Sequence, residues 1–297
     1  MTDRLRADPP LGGTLSYIES LIPSLVPSEQ RVAREVVDSS ADVSLMSASD
    51  LAARTGTSAA TVIRACQSLG FKGFQHLRLL LLRDLPTSRA NAAPTGEGAA
   101  QAWMPELFRS AGDALATALG PLDFEEFDRA AAAIAGARRL LIVGNGGSAP
   151  VAQTCSLGFL SAGRANEAPA DAVLQQLSAR SLRSGDVCIC ISGSGTNSVT
   201  LRAAEAASQT EAVVIGLAGF QRSRLEEFCD ITLVCSSTSG AWASGLITAN
   251  LAHLLLVAGL QIAATAVAGR PLSDPEVMDE VMTVLDAEVD RKPESRD

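Results

Sequence analysis

Two short stretches of the chain combine glycines with hydroxyl side chains in a way that could hold an anion, Gly144-Asn-Gly-Gly-Ser148 and Ser192-Gly-Ser-Gly-Thr196-Asn197. Each follows a short apolar run, Leu140 to Val143 in the first case and Val187 to Ile191 in the second. Glycine lets the backbone come close to a ligand, the free N–H groups at the start of a following helix donate to it, and Ser or Thr hydroxyls complete the cradle. A phosphate monoester suits that chemistry, which makes Gly144, Gly146, Gly147, Ser148, Ser192, Gly193, Ser194, Gly195 and Asn197 the candidate contacts. Taken alone, the first stretch also satisfies the dinucleotide pattern G-x-G-x-x-G/A through Gly144, Gly146 and Ala149, with Glu167 where a ribose-binding acid would stand. A second hydroxyl-rich loop serves a sugar phosphate and has no use at a dinucleotide site, so sugar phosphate is the preferred reading and a dinucleotide such as NAD the alternative.

A different chemistry is suggested between Leu51 and Arg83, where Arg54, Arg64, Lys72, Arg78 and Arg83 stand with no Asp or Glu among them. The whole chain has a formal net charge of -9, which would repel a polyanion, so a local basic stretch points to phosphate contact with nucleic acid. The charge is divided along the chain. Residues 1 to 85 hold nine basic and nine acidic side chains, whereas residues 86 to 297 hold fifteen and twenty-four.

The elements that must position these residues follow from periodicity. Before residue 86 the pattern is helical, with Ser28 and Ser49 as candidate N-caps. Arg54-Thr-Gly56-Thr-Ser58 interrupts it with a glycine suited to a tight turn, and Ser58 can cap a second helix from Ala59 to Leu69. On that helix Val62, Cys66 and Leu69 form a stripe to bury, and Ala60, Thr61 and Arg64 fall largely off it. A recognition helix presents its first turns to the major groove, so Ser58, Ala59, Ala60, Thr61 and Arg64, with Lys72 beyond the helix, are the candidate DNA-binding residues. Of the other basic residues, Arg78 and Arg83 read as DNA-backbone contacts or solvated surface.

Pro86 to Gln101 has linker composition, rich in Pro, Gly, Ala and Ser. Beyond it, short apolar runs at 140–143, 187–191, 213–217 and 231–235 alternate with helical segments. Continuous apolar runs mean strands covered on both faces, as in a doubly wound α/β domain whose ligands bind at the carboxyl ends of the strands. The expected architecture is an all-α helix-turn-helix domain over 14–85, a linker over 86–101 and an α/β doubly wound parallel-sheet domain over 102–285, with 1–13 and 286–297 disordered.

Several functions are disfavoured. Six cysteines show neither a C-x-x-C pair nor the Cys/His spacing of a zinc site, which fits buried reduced thiols and no metal, and Cys188 and Cys190 share one face of a strand. No apolar segment opens the chain, which leads to the expectation of a cytoplasmic protein. Leu246 to Gly269 carries no formal charge and is long enough to span a bilayer, but its Ala-rich composition, with Asn250, His253 and Gln261 inside it, reads as a buried or interfacial helix. Aldose–ketose isomerisation needs a base beside a carbonyl, and neither histidine offers one: His76 belongs to the helical part, and His253 lies in that apolar helix as a satisfied core or interface residue. The loop 236–245 adds no carboxylate. No catalytic residue and no cofactor are therefore assigned.

Taken together these residues resemble the RpiR family of bacterial transcription regulators, a helix-turn-helix joined to a sugar isomerase (SIS) domain. The resemblance runs from about Leu25 to Gly269 and is most specific at Pro27-Ser-Glu-Gln-Arg-Val-Ala33, Ser49 to Ser58, Thr61-Val-Ile-Arg64 and Leu69-Gly-Phe-Lys-Gly-Phe74, then at the two Gly/Ser loops. It implies a homodimer or higher homo-oligomer on a palindromic double-stranded operator, with a phosphosugar effector and no membrane partner. A sugar phosphate isomerase with a regulatory N-terminal domain is the alternative. The family's S-x-S-G-x-T loop places its threonine where Asn197 stands here, Pro150 removes one N–H near a helix start, and Ala65 replaces the aromatic that commonly follows the recognition arginine.

Overall fold

A computed structural model describes residues 8–84, 99–236, 245–271 and 279–283. Six helices make the first unit: α1 (Thr14–Leu21), α2 (Pro27–Asp38), α3 (Ser40–Leu45), α4 (Ala48–Arg54), α5 (Ala59–Ser68) and α6 (Phe74–Asp84). Their inward residues, among them Ile18, Leu21, Val32, Val36, Leu51, Val62, Leu69, Leu77 and Leu81, form one apolar core. Two of the caps differ from expectation. α2 begins at Pro27 itself, whose fixed φ suits a first helical position, so Ser28 lies inside the helix. α4 is capped by Ser47, not Ser49, through a reciprocal box with Asp50, because Asp50 is the residue placed to return the bond to the Ser47 N–H.

The chain between Asp8 and Gly13, expected to be disordered, is instead held at the end of α6. Arg83 donates to the carbonyls of Pro9 (2.9 Å) and Pro10 (3.1 Å), and the buried Asp84 carboxylate accepts from the Thr14 N–H at 3.1 Å and pairs with Arg83 at 2.7 Å. The two ends of the helical unit are thus clasped together.

The second unit is a parallel sheet of β1 (Leu140–Gly144), β2 (Val187–Ser192), β3 (Val213–Ala218) and β4 (Ile231–Val234), in that spatial order. Alternate residues face opposite ways. Leu140, Ile142, Ile189, Ile191, Ile215, Leu217 and Leu233 pack under α8 (Phe124–Gly136), α9 (Ala149–Ser161) and α12 (Gly245–Val267), while Leu141, Val143, Cys188, Cys190 and Val214 meet α10 (Ala172–Arg180) and α11 (Ser198–Ser208). α7 (Ala99–Thr117) precedes them, and its start lies inside the span read as linker. The Cys188 and Cys190 thiols lie 3.6 Å apart in the buried layer, and all six cysteines are free.

Outside β1, Glu167 adds a one-residue parallel bridge to Leu141. The chain therefore leaves β1, pairs once on its outer side, and returns to form β2 on its inner side. That reversal makes the space above β1 and β2 the topological switch point, where α/β sheets open a crevice. α12 is long and apolar enough over Asn250–Val267 to cross a membrane. One side of it, Ala252, Leu256, Val257, Leu260 and Ala264, is nevertheless core of the sheet unit.

Candidate functional site

The carboxyl ends of β1 and β2 are neighbours in the sheet, with Gly144 opposite Ile191, so the two Gly/Ser loops meet. The Ser148 Oγ accepts from the Gly193 N–H at 3.1 Å and ties one loop to the other. Gly144 is required by space: a side chain there would start 2.8 Å from the Ser148 carbonyl oxygen and from Ala152. Gly146 and Gly195 adopt φ of 57° and 64°, the left-handed region that favours glycine, and a side chain on Gly195 would collide with Ser223. Asn197 serves as the N-cap of α11, its Oδ1 accepting from the Val199 and Thr200 N–H groups at 3.1 Å each, while its Nδ2 faces Gly146 across the crevice. Gly146, Gly147 and Ser194 are exposed, Gly193 and Asn197 are half-buried, and Gly144, Ser148, Ser192 and Gly195 are buried. The Ser194 Oγ accepts from the Thr196 N–H (3.3 Å) and lies 3.0 Å from its hydroxyl.

α9 and α11 both start at this crevice, so two helix N-termini aim their partial positive charge into it. Around the second loop, Ser192 Oγ and Ser223 Oγ are buried and, among the described residues, have no hydrogen-bond partner. Polar atoms left in that state cost free energy, and they cluster where a polar ligand would satisfy them. His253 is fully buried beside Gly193, as a core histidine. Burial holds its pKa below the ordinary histidine value, against the opposing pull of the Ala218 and Cys235 backbone nearby.

Glu167, the acid at dinucleotide spacing, is occupied elsewhere. Arg139 grips both its oxygens at 2.6 and 2.7 Å at the start of β1, and this guanidinium holds the carboxyl below its usual range against a desolvation penalty. Among the described residues there is no group of three or more His, Cys, Asp or Glu able to hold a metal ion. The loop 236–245 lies largely outside the described residues.

The second constellation is α5. The Ser58 Oγ caps it by accepting from the Thr61 N–H at 3.2 Å, and Gly56 takes the turn before it at φ 60°. Val62, Cys66 and Leu69 are buried as their spacing requires. Thr61 is also buried, with 7% of its surface exposed, so it does not stand on the open face. Its hydroxyl lies 2.9 Å from Ser58 Oγ and accepts from Arg64 Nη2 at 3.0 Å, which fixes the arginine against the first turn. The open face consists of Ala60, Ile63, Arg64 and Gln67, with Ser58 exposed and Ala59 half-buried at its start and Lys72 exposed beyond its end. Ile63 and Gln67 were missed, although the i, i+3, i+4, i+7 spacing from Ala60 would have found them.

The other basic residues have structural work. Arg54 pairs with Glu35 (2.7 Å) and Asp42 (3.2 Å), Arg78 donates to the Ser44 carbonyl (3.0 Å), and Arg83 closes the clasp described above. The reading of Arg78 and Arg83 as DNA contacts or solvated surface is therefore replaced by internal bonding. Arg31 on α2, outside the basic stretch, reaches the turn by donating to the Thr55 carbonyl at 3.3 Å.

Comparison with known proteins is consistent with both units. Residues 12–88 match the model of a helix-turn-helix domain of the rpiR family, and residues 133–262 match the SIS domain. An uncharacterized HTH-type transcriptional regulator of Caldanaerobacter subterraneus is 29% identical over 245 residues, covering 82% of this chain and 87% of its own. A second, from Haemophilus influenzae, is 26% identical over 254 residues, covering 83% and 88%. Among solved structures, the Vibrio vulnificus NanR protein complexed with ManNAc-6P superposes with a TM-score of 0.52 at 24% identity, covering 92% of this chain and 97% of that one. A putative phosphosugar isomerase of Bacteroides fragilis gives a TM-score of 0.52 at 16% identity over 58% of this chain and 93% of that one. These structural likenesses establish the fold.

Proposed function

The chain belongs to the RpiR family of helix-turn-helix transcriptional regulators with a SIS domain, and from that membership we propose that its SIS crevice senses a phosphorylated sugar and alters operator binding. The observation that carries the reading is the meeting of two Gly/Ser loops, two helix N-termini and the buried Ser192 and Ser223 hydroxyls, unpartnered among the described residues, at one switch point. Ligation of a phosphosugar by the structurally similar NanR protein supports it. Gly144, Gly146, Gly147, Ser148, Ser192, Gly193, Ser194, Gly195 and Asn197 would line the site, with Ser194 the most exposed hydroxyl of the second loop beside Thr196. The crevice binds without turnover in this reading, because its lining is neutral and His253 is sealed beneath it.

On the DNA side Ser58, Ala59, Ala60 and Arg64 would approach the major groove, Lys72 a phosphate, and Thr61 would act only through Arg64. A homodimer or higher homo-oligomer on a palindromic operator, in the cytoplasm, completes the proposal. The exposed apolar side chains Leu157, Leu160, Leu255 and Ile262 on α9 and α12 support such self-association.

A thermal-shift panel of ManNAc-6P with hexose, pentose, gluconate and amino-sugar phosphates, and with NAD, tests the sensor. One phosphosugar at a hundredfold excess over its Kd should add about 2.7 kcal/mol of apparent stability. Ser194→Ala should abolish that gain and leave DNA binding in the absence of ligand intact. Stabilisation by NAD alone, or turnover of the stabilising sugar in an isomerase assay, would replace the reading.

A further inference from the structure

One loop touches both constellations. After β3 the chain runs through Gly219, Phe220, Gln221, Arg222 and Ser223 before a 3-10 turn at Arg224–Phe228. On the crevice side the Gly219 N–H donates to the Gly193 carbonyl at 3.0 Å and the Leu225 N–H to the Gly195 carbonyl at 3.1 Å. Ser223 occupies the space that any side chain on Gly195 would need, and its own hydroxyl is buried and has no partner among the described residues. The loop is therefore moulded onto the back of the second phosphate loop.

Its tip reaches the other unit. The Gln221 N–H donates to the Ser20 carbonyl in α1 at 2.7 Å, and Arg222 Nη1 donates to the carbonyl of Ser68 at 3.1 Å. Ser68 is the last residue of α5, the recognition helix. Arg222 has φ 53° and is the one non-glycine residue in the left-handed region among the described residues. For an L-residue that conformation is strained, and it is held here by the Arg222 N–H donating to Glu226 Oε2 at 2.7 Å. The strained backbone thus coincides with the side chain that bonds the end of α5 from the second unit, and the strain is kept for that reach.

We propose that the Gly219–Ser223 loop is a coupling strap, with Arg222 as the positioning residue through which occupancy of the crevice reaches the recognition helix. The loop is anchored at both ends on the second loop, through Gly193 and Gly195, and at its tip on Ser20 and Ser68. A ligand that draws Gly193 to Gly195 toward itself displaces the strap and with it the Arg222–Ser68 bond. This inference rests on the phosphosugar reading for its ligand but not for the strap itself.

Two arms test it on the full chain, comparing wild type with Arg222→Ala and Arg222→Gly. Glycine accepts the positive φ, so a stable Arg222→Gly protein separates loss of the side chain from a folding defect. In the first arm, amide exchange without ligand should quicken several-fold at the end of α5, over 65–71, in both variants; unchanged exchange would show that Arg222 does not hold the helix and would overturn the strap. In the second arm, affinity for a duplex selected from a random pool by the wild type is measured with and without ManNAc-6P and the other sugars of the panel. A wild-type response of about 5- to 150-fold, ordinary for allosteric coupling, should shrink to within about twofold in both variants while the ligand-induced thermal shift persists. Full retention of the response in the variants refutes the strap. Absence of any response in the wild type refutes the sensing reading instead, and the exchange arm then decides on the strap alone.

Discussion

Glu19, packed in α1 of the helical unit, is pushed up to about 7 because burial penalises its charged form and, to a lesser degree, because Asp38 repels it. The unfolded chain releases that proton near 4.5, so between 4.5 and 7 the native state binds more protons than the unfolded one. Stability must fall as pH rises through that window, and the loss is complete above 7. Glu19→Gln removes the dependence. Urea unfolding should show the variant gaining on the order of 1–3 kcal/mol over wild type on going from pH 4.5 to pH 8. Parallel profiles for the two proteins would mean an ordinary, solvated carboxyl. Arg54, Arg78 and Arg83 show at the same scale why a charge count misleads: all three guanidiniums are bonded within the helical unit, and sequence cannot tell an arginine that pairs inward from one that waits for a phosphate.

At the scale of elements, the cap of α5 is tied to its reading face. Ser58 holds the Thr61 N–H, Thr61 meets Ser58 again through its hydroxyl, and the same hydroxyl holds Arg64. Ser58→Ala should cost about 1 kcal/mol in denaturant unfolding, as the loss of an N-cap typically does, and should weaken operator binding by more than that through Arg64. A drop in stability with unaltered operator affinity would separate the cap from the reading face. The turn, the cap and the buried stripe were legible because each depends on residues within one helical turn of each other. Thr61 was misplaced because the burial of a first-turn residue depends on what packs over it, which lies elsewhere in the chain. The four strands were equally legible, their apolar runs being continuous on both faces. The Glu167 bridge that creates the switch point is one residue long, without any pattern of its own. The Gly219–Ser223 loop was missed for a related reason, since its bonds run to α1 and α5 from far along the chain.

For the molecule as a whole the net charge of -9 opposes DNA, and the described basic surface around α5 is narrow. Binding should fall with salt in proportion to the phosphates neutralised: with Arg64 and Lys72 from each of two subunits, about four, affinity should drop by roughly two orders of magnitude between 50 and 200 mM salt. Lys72→Ala should lower the slope of that dependence by about one per subunit, measured by fluorescence anisotropy on the selected duplex. A flat salt response would remove α5 and Lys72 from the interface.

The clasp at the ends of the helical unit has a mechanical meaning. Arg83 and Asp84 bind Pro9, Pro10 and Thr14, so tension arriving along the chain beyond Asp84 is taken up at α1 and α6 before it can reach α5. The Arg222–Ser68 bond, by contrast, applies its load at the far end of α5 itself. Under the proposed coupling, movement of the second unit would therefore load the helical unit at two separate points, the clasp and the end of α5.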